Sequence, residues 1–99
     1  MEKYSVNCAD LQSESEFWAI YIESVNARNP EKFGRNLDAL WDALHAGGPG
    51  SPESRDCKII VLHSEALKRF RDGYFHDHLS QIAYDLRSDP GGTVALVLK

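Results

Sequence analysis

The chain has 99 residues, of which 42% are hydrophobic and 26% are charged, and its formal net charge is −4. This length and composition are typical of one globular domain, residues 1–99, with a modest core of its own. A general nucleic-acid binder would be basic, so the negative charge argues against direct nucleic-acid contact and favours a basic protein partner. No apolar stretch approaches the length that a membrane span needs, so we expect no contact with a membrane.

The N-terminus and the cysteines both favour a cytoplasmic protein. Met1–Val6 has no charged region followed by an apolar run, so we expect no secretion signal. Of the two cysteines, Cys8 falls at the end of the first predicted strand and Cys57 at the start of the second. In a parallel sheet these ends lie a strand length apart, so we expect free thiols rather than a disulfide.

Two apolar patterns predict a strand and a helix in the first third of the chain. Residues 3–8 alternate between polar and apolar side chains, as a half-buried strand does. Ser13 and Glu16 have the spacing of a capping box, and the apolar stripe that follows predicts a helix ending near Asn26. The aromatic side chains on this stripe are expected to pack in the core.

A second helix is predicted, and an acidic face lies beside its apolar face. The apolar side chains recur at helical spacing, at Leu37, Leu40, Trp41 and Leu44. Asn36 has the place and the type of an N-cap, and Gly34 before it is expected to supply a turn with positive φ. Asp38 and Asp42 are four residues apart, and a like-charge pair at this spacing costs about 0.2–0.5 kcal/mol. Such a pair is typical of a solvated acidic face or of a face that meets a positively charged partner.

Residues 45–56 combine glycines and prolines in a way that predicts an exposed, mobile loop. A structureless loop of this length is uncommon in a small domain. It is therefore expected either to be slack or to meet a partner.

The second half of the chain predicts two strands and two helices. Its first strand is a nearly continuous apolar run, which is typical of a strand buried on both faces. Ser64 is expected to cap the helix that follows, and Asp89–Gly92 to stop the last helix. The predicted elements are a strand over 58–63, a short helix over 65–71, a helix over 75–88 and a strand over 93–98. Apolar strands separated by helices predict an α/β fold, a small three-stranded parallel sheet packed with about four helices.

The residues that could carry chemistry do not predict an enzyme. Asp38 and Asp42 are paired carboxylates, but an exposed helix face lacks the apolar surroundings that acid–base pairs need. His76 and His78 would point about 200° apart on a helix and could not readily share a metal ion. The chain has no phosphate-binding glycine motif and no nucleophile elbow. We therefore expect no catalytic residue, no metal and no cofactor.

Residues 33–44 carry a family resemblance. The stretch Phe-Gly-Arg-Asn-Leu-Asp-Ala-Leu-Trp-Asp-Ala-Leu resembles the signature of the barstar family, small intracellular protein inhibitors of secreted bacterial ribonucleases. The family pattern is an aromatic, a glycine, any residue, Asn-Leu-Asp-Ala-Leu-Trp-Asp and a small residue before Leu, and this stretch matches it almost completely. The resemblance implies a three-stranded parallel sheet with helices packed around it, which agrees with the element order.

The resemblance also implies a free monomer that inhibits a barnase-like, guanyl-preferring ribonuclease in a 1:1 complex. Such an enzyme holds RNA phosphates with basic residues, and inhibitor carboxylates can take the place of the phosphates. Asp42 matches the family's phosphate-mimicking aspartate. Asp85 or Asp89 would add an acidic contact from the last helix, and loop 45–56 corresponds to an edge of the surface. The implied partner-binding residues are Phe33, Gly34, Asn36, Asp38, Trp41 and Asp42.

Two residues depart from the family pattern and keep an alternative open. Lys32 stands where barstar has a contacting tyrosine, and Arg35 stands where barstar has glutamate. Both changes reduce the acidity of the loop and could select a different ribonuclease. An inhibitor would protect the producing cell from its own nuclease before export, or from a neighbour's nuclease toxin. The alternative is a barstar-like module that binds another basic partner without ribonuclease inhibition.

Overall fold

The computed structural model describes residues 2–89 and 91–99, and its architecture is α/β. Met1 and Pro90, which entered the predictions for the N-terminus and for the stop after the last helix, lie outside the described residues. The predicted fold class and element order are confirmed. The elements are β1 (Glu2–Asn7), α1 (Glu14–Val25), a 3-10 turn (Pro30–Lys32), α2 (Leu37–Ala46), β2 (Cys57–Leu62), a 3-10 segment (Ser64–Gly73), α3 (Tyr74–Arg87) and β3 (Val94–Leu98).

The sheet is parallel, with strand order β1-β2-β3, and its two faces differ in burial. Alternate side chains of the sheet are buried under the helices, among them Val6, Ile59, Val61, Val94 and Leu96. On the opposite face, Lys58, Ile60 and Leu62 of β2 are only half-buried. The prediction that this strand is buried on both faces is therefore wrong. Ile60 lies in register between Ser5 and Val97, so neighbouring strands rather than a second helix layer shield it.

Helix α1 supplies much of the aromatic core. The Ser13 side chain caps the helix by accepting a hydrogen bond from the Glu16 N–H at 3.3 Å, as predicted. The Glu16 carboxylate accepts from the backbone N–H of Gln12 rather than from that of Ser13, at 3.2 Å. Phe17 packs edge-to-face against Phe75, with ring centroids 5.2 Å apart. The prediction that the aromatic stripe of α1 packs in the core is confirmed.

The middle of segment 47–56 is buried and hydrogen-bonded to α1 and to the residues after it. Gly50 and Ser51 are buried, and the Tyr21 hydroxyl donates a hydrogen bond to the Gly50 carbonyl at 2.8 Å. The Gly50 N–H donates to the Arg28 carbonyl at 2.7 Å, and the Arg28 N–H donates to the Ser51 carbonyl at 2.9 Å. The prediction of an exposed loop over 45–56 is therefore wrong for residues 50–52, which are buried, whereas Gly47, Glu53 and Asp56 are exposed as predicted. His45 and Ala46 belong to α2. The residues after α1 satisfy the polar groups of this backbone, and composition alone does not reveal such distant partners.

The segment between β2 and α3 is a kinked 3-10 helix rather than the predicted α-helix. The predicted cap is wrong, because Ser64 is buried and its hydroxyl donates to the Lys99 carbonyl at 2.9 Å. His63, with φ of 57°, occupies the cap position instead. Near the end of the segment, Arg71 and Asp72 both take left-handed backbone conformations, with φ of 53° and 54°. Such conformations are costly for residues with a side chain.

The two cysteines are buried free thiols, as predicted. Burial raises the pKa of Cys8 to about 11. Burial likewise raises the pKa of Cys57 to about 11, against the opposing effect of the nearby Arg55 guanidinium. Both thiols therefore stay protonated and unreactive at neutral pH.

Candidate functional site

The start of α2 is set by a side-chain cap and a left-handed residue. The Asn36 side chain accepts a hydrogen bond from the Ala39 N–H at 2.7 Å, so the predicted N-cap is confirmed. The predicted positive φ at Gly34 is wrong, because the left-handed residue is Arg35, with φ of 52°. Gly34 has a packing role, since a Cβ there would lie 3.2 Å from both the Ala39 Cβ and the Asn36 amide nitrogen.

Phe33 lies inside the molecule, although the family resemblance implied that it contacts a partner. Its side chain is only 6% exposed. Its ring packs on Trp18 and Tyr21, with centroid distances of 5.6 and 5.8 Å, and also lies against Gly50. Only a small part of Phe33 is therefore open to a partner, and its ring anchors the turn that leads into α2.

Asp38 and Asp42 are exposed on α2, beside its buried apolar face. Within residues 2–89 and 91–99, neither carboxylate takes part in an ion pair. The described side chains also include no hydrogen-bond donor to either of them. Two like charges are thus held near each other on a rigid helix without internal compensation. Neither carboxylate therefore has a hydrogen-bond donor from a described side chain, and both are exposed to solvent.

Gly48 touches the Asp42 carboxylate and makes room for it. A Cβ at Gly48 would overlap Oδ2 of Asp42 and lie 3.1 Å from its Cγ. The Gly48 N–H also donates to the Asp42 carbonyl at 3.4 Å. The start of segment 47–56 therefore forms a wall beside the Asp42 side chain.

His45, in the last turn of α2, contacts both Trp41 and Asp89. The rings of Trp41 and His45 are stacked, with centroids 4.6 Å apart and an interplanar angle of 7°. The Nδ1 atom of His45 lies 3.0 Å from Oδ2 of Asp89, and Oδ1 of Asp89 accepts a hydrogen bond from the Gly91 N–H at 3.1 Å. Trp41 is half-buried against the core, so it anchors α2 and leaves part of its surface exposed. The structure thus brings Asp89 to the same surface as α2.

A cleft at the start of α2 contains residues that the sequence analysis missed. We call it the N-terminal cleft; its volume is about 130 Å³, and buried Trp18 and Phe75 line its inner end. Tyr74 was missed because it precedes the helix predicted over 75–88, and a single exposed aromatic residue is not by itself a signal of a contact surface. The polar rim of the cleft consists of Glu14, Asn36, Asp38, Arg71, Tyr74 and His78.

In the ranges that the structure describes, no three histidine, cysteine, aspartate or glutamate side chains are grouped closely enough to hold a metal ion. The same ranges contain no helix with the length and apolar character that crossing a membrane would require.

A three-stranded parallel sheet that presents an uncompensated acidic helix defines a small α/β protein suited to binding a cation-rich surface. The Barstar family model, described as "Barstar (barnase inhibitor)", matches residues 1–96. The chain therefore belongs to the Barstar family, whose members are inhibitors. A search of curated proteins finds no match.

Proposed function

We propose that this protein inhibits a barnase-like, guanyl-preferring microbial ribonuclease by filling its basic active site with the acidic face of α2. The observation that carries the proposal is the pair Asp38 and Asp42, exposed on a capped helix and without an ion-pair partner among residues 2–89 and 91–99. Family membership supports binding of a ribonuclease. The complex is 1:1, the free protein is a cytoplasmic monomer, and the protein itself catalyses no reaction and needs no cofactor.

In this proposal, Asp42 takes the position of an RNA phosphate. An arginine or lysine of the enzyme would donate charge-assisted hydrogen bonds to its carboxylate, and these are the strongest kind in proteins. Asn36 and Gly34 meet the enzyme at the turn before α2, and Asp38 and Trp41 extend the contact along the helix. Because α2 is already folded and capped, little conformational entropy is lost on binding.

For the remaining acidic contact, Asp85 is the candidate whose carboxylate has no ion-pair partner among the described residues. Asp89 is already engaged by His45 and by the Gly91 N–H. Asp85 accepts a hydrogen bond from the neutral Gln81 amide at 2.9 Å, and a neutral donor does not balance its charge.

Lys32 and Arg35 are both exposed in the residues that lead into α2. In this proposal they select against enzymes that carry positive charge opposite those residues.

Inhibition assays with charge-removing variants test the proposal. Wild type, Asp42→Asn and Asp10→Asn are titrated into barnase and other guanyl-preferring ribonucleases, with RNA cleavage as the readout. Asp10 is exposed in the turn after β1, so its variant loses the same charge from a residue outside α2. We expect stoichiometric inhibition by wild type, a loss of at least about thirtyfold in affinity for Asp42→Asn, and no change for Asp10→Asn. Added salt should weaken the wild-type complex.

Absence of inhibition of every such enzyme would reject the proposal. The alternative, a module that binds another basic protein, would then be examined by capture of basic partners, with Asp42→Asn as the negative control. Equal losses for Asp42→Asn and Asp10→Asn would instead mean that only net charge matters and that α2 is not the contact surface.

A further inference from the structure

The face of the sheet opposite the core carries no helix layer in the described part of the chain. With the strand order β1-β2-β3, both crossover connections run in the same direction across the sheet. Right-handed crossovers in one direction place their helices on the same face. The buried residues of α1, α2 and α3 accordingly form a single core cluster with alternate strand residues. We call the other face the open sheet face, and its residues are Lys3, Ser5, Asn7, Lys58, Ile60, Leu62, Ala95 and Val97.

Three aliphatic side chains lie next to each other on the open sheet face. Ile60 pairs in register with Val97, and Leu62 is the next residue of β2 on this face. All three are half-buried, yet none belongs to the described core cluster or to the partly buried side chains that pack against it. Parallel sheets almost always have both faces covered, so this uncovered apolar surface is unusual. A partner that covered it would gain hydrophobic free energy.

Two lysines border this apolar group. Lys3 of β1 and Lys58 of β2 are directly opposite each other in register on the same face, and like charges at paired positions repel. Within the described residues, neither lysine takes part in an ion pair. Glu2 and Asp56 adjoin them in the chain without pairing with them, and Glu2 belongs by alternation to the other face. Positive charge therefore lies beside apolar surface on a chain whose net charge is −4.

The charge and the dimensions of the open sheet face favour an amphipathic helix with carboxylates beside its apolar stripe. A second copy stacked face to face would bring lysines against lysines. The face offers no aromatic ring for a nucleic-acid base to stack on, and an anionic membrane would repel the net negative charge. Strands of this length span about 17–20 Å, which a helix of about 12–14 residues matches. A helix is also the element that covers the faces of other parallel sheets.

We infer that the open sheet face docks one acidic amphipathic helix of a partner protein. The apolar stripe of that helix lies on Ile60, Leu62 and Val97. Its carboxylates pair with Lys3 and Lys58. The face lies across the sheet from α2, so this partner and a ribonuclease occupy separate surfaces of one molecule. The inference therefore does not depend on ribonuclease inhibition.

A peptide titration tests the open sheet face without any ribonuclease. The ¹⁵N-labelled protein is titrated with a synthetic helical peptide of about 14 residues, which carries a leucine stripe bordered by glutamates, and with the same peptide bearing lysines in place of the glutamates. We expect saturable amide shifts on the open sheet face with the glutamate peptide alone. Added salt should weaken this binding.

Matched variants locate the contact. Lys3→Glu should weaken binding of the glutamate peptide about fivefold or more, whereas Lys68→Glu should leave it unchanged. Both lysines are exposed, and Lys68 lies in the 3-10 segment before α3, outside the open sheet face. Val97→Thr keeps the branched shape that suits a strand, removes one methyl group from the apolar contact, and should also weaken binding. The amide spectrum of each variant shows that it is folded.

Absence of saturable shifts, shifts confined to the helices, or equal binding of the lysine peptide would overturn the inference. A response of the open sheet face to phosphatidylglycerol vesicles or to single-stranded DNA, and not to the glutamate peptide, would also overturn it. A dimer that the glutamate peptide dissociates, seen by sedimentation velocity, would assign the face to a second copy instead. Where a ribonuclease is inhibited, saturating peptide should leave inhibition unchanged, and competition between the two would reject separate surfaces.

Discussion

The acidic face of α2 and segment 47–56 are neighbours in space with opposite characters. On α2, Asp38 and Asp42 are exposed and have no ion-pair partner in the described part of the chain. In the segment, Gly50 and Ser51 are buried, and their backbone groups are hydrogen-bonded to α1 and to the residues after it. The regular helix therefore leaves these charges unpaired within the described residues, whereas the irregular segment pairs its buried backbone groups internally.

This contrast shows that regular secondary structure does not by itself decide whether polar groups are paired inside the protein. A backbone whose donors and acceptors are paired internally gains little from a new partner. Uncompensated carboxylates on a folded helix gain strongly from a cation, because little ordering remains to be done. The two regions meet where Gly48 touches the Asp42 side chain.

The largest expected loss of folding stability comes from removing the aromatic ring of Phe33, which lies in the turn before α2 and packs against segment 47–56. Phe33→Ala should lower the free energy of unfolding by about 3–5 kcal/mol, because Phe33 fills a site between Trp18, Tyr21 and Gly50. Denaturant unfolding measures this change, with Tyr84→Ala as an exposed aromatic control. A loss below about 1 kcal/mol would show that the segment is not part of the core and would break the comparison.

A smaller effect, on binding alone, is expected from Gly48→Ala. The new methyl group would overlap the Asp42 carboxylate and rotate it away, while the flexible side chain absorbs the change without unfolding. We expect a loss of about tenfold in ribonuclease affinity and a stability within about 0.5 kcal/mol of wild type. Inhibition assays and denaturant unfolding on the same samples measure both. Unchanged affinity would mean that the position of this carboxylate is not set by the segment.

The smallest effect is expected at the contact between His45 and Asp89. Because His45 is exposed, His45→Gln should cost no more than about 1 kcal/mol of folding stability. A double-mutant cycle with Asp89→Asn isolates the pair from other changes. A coupling free energy well above about 1 kcal/mol would show that the C-terminal end of α2 is held as firmly as segment 47–56.

Local patterns in the sequence were sufficient for the regular elements and for the acidic face. Asn36 acts at short range as the cap of α2, and the side chains of Leu37, Leu40 and Leu44 repeat with the helical period, so neighbours in the chain determine this element. The placement of Asp38 and Asp42 beside that apolar face follows from the same period. The free cysteines follow from strand direction in a parallel sheet.

What the sequence could not determine depends on partners far apart in the chain. Segment 47–56 has a composition typical of mobile loops, and only the hydrogen bond from Tyr21 and the ladder to Arg28 show that it is fixed. Phe33 belongs to the family signature, yet its burial is decided by Trp18 and Gly50. The N-terminal cleft exists only because the starts of three helices meet, and no local pattern records that meeting. Local periodicity therefore determined the helices, the strands and the acidic face. Tertiary packing decided which polar groups are hydrogen-bonded inside the protein and which remain exposed.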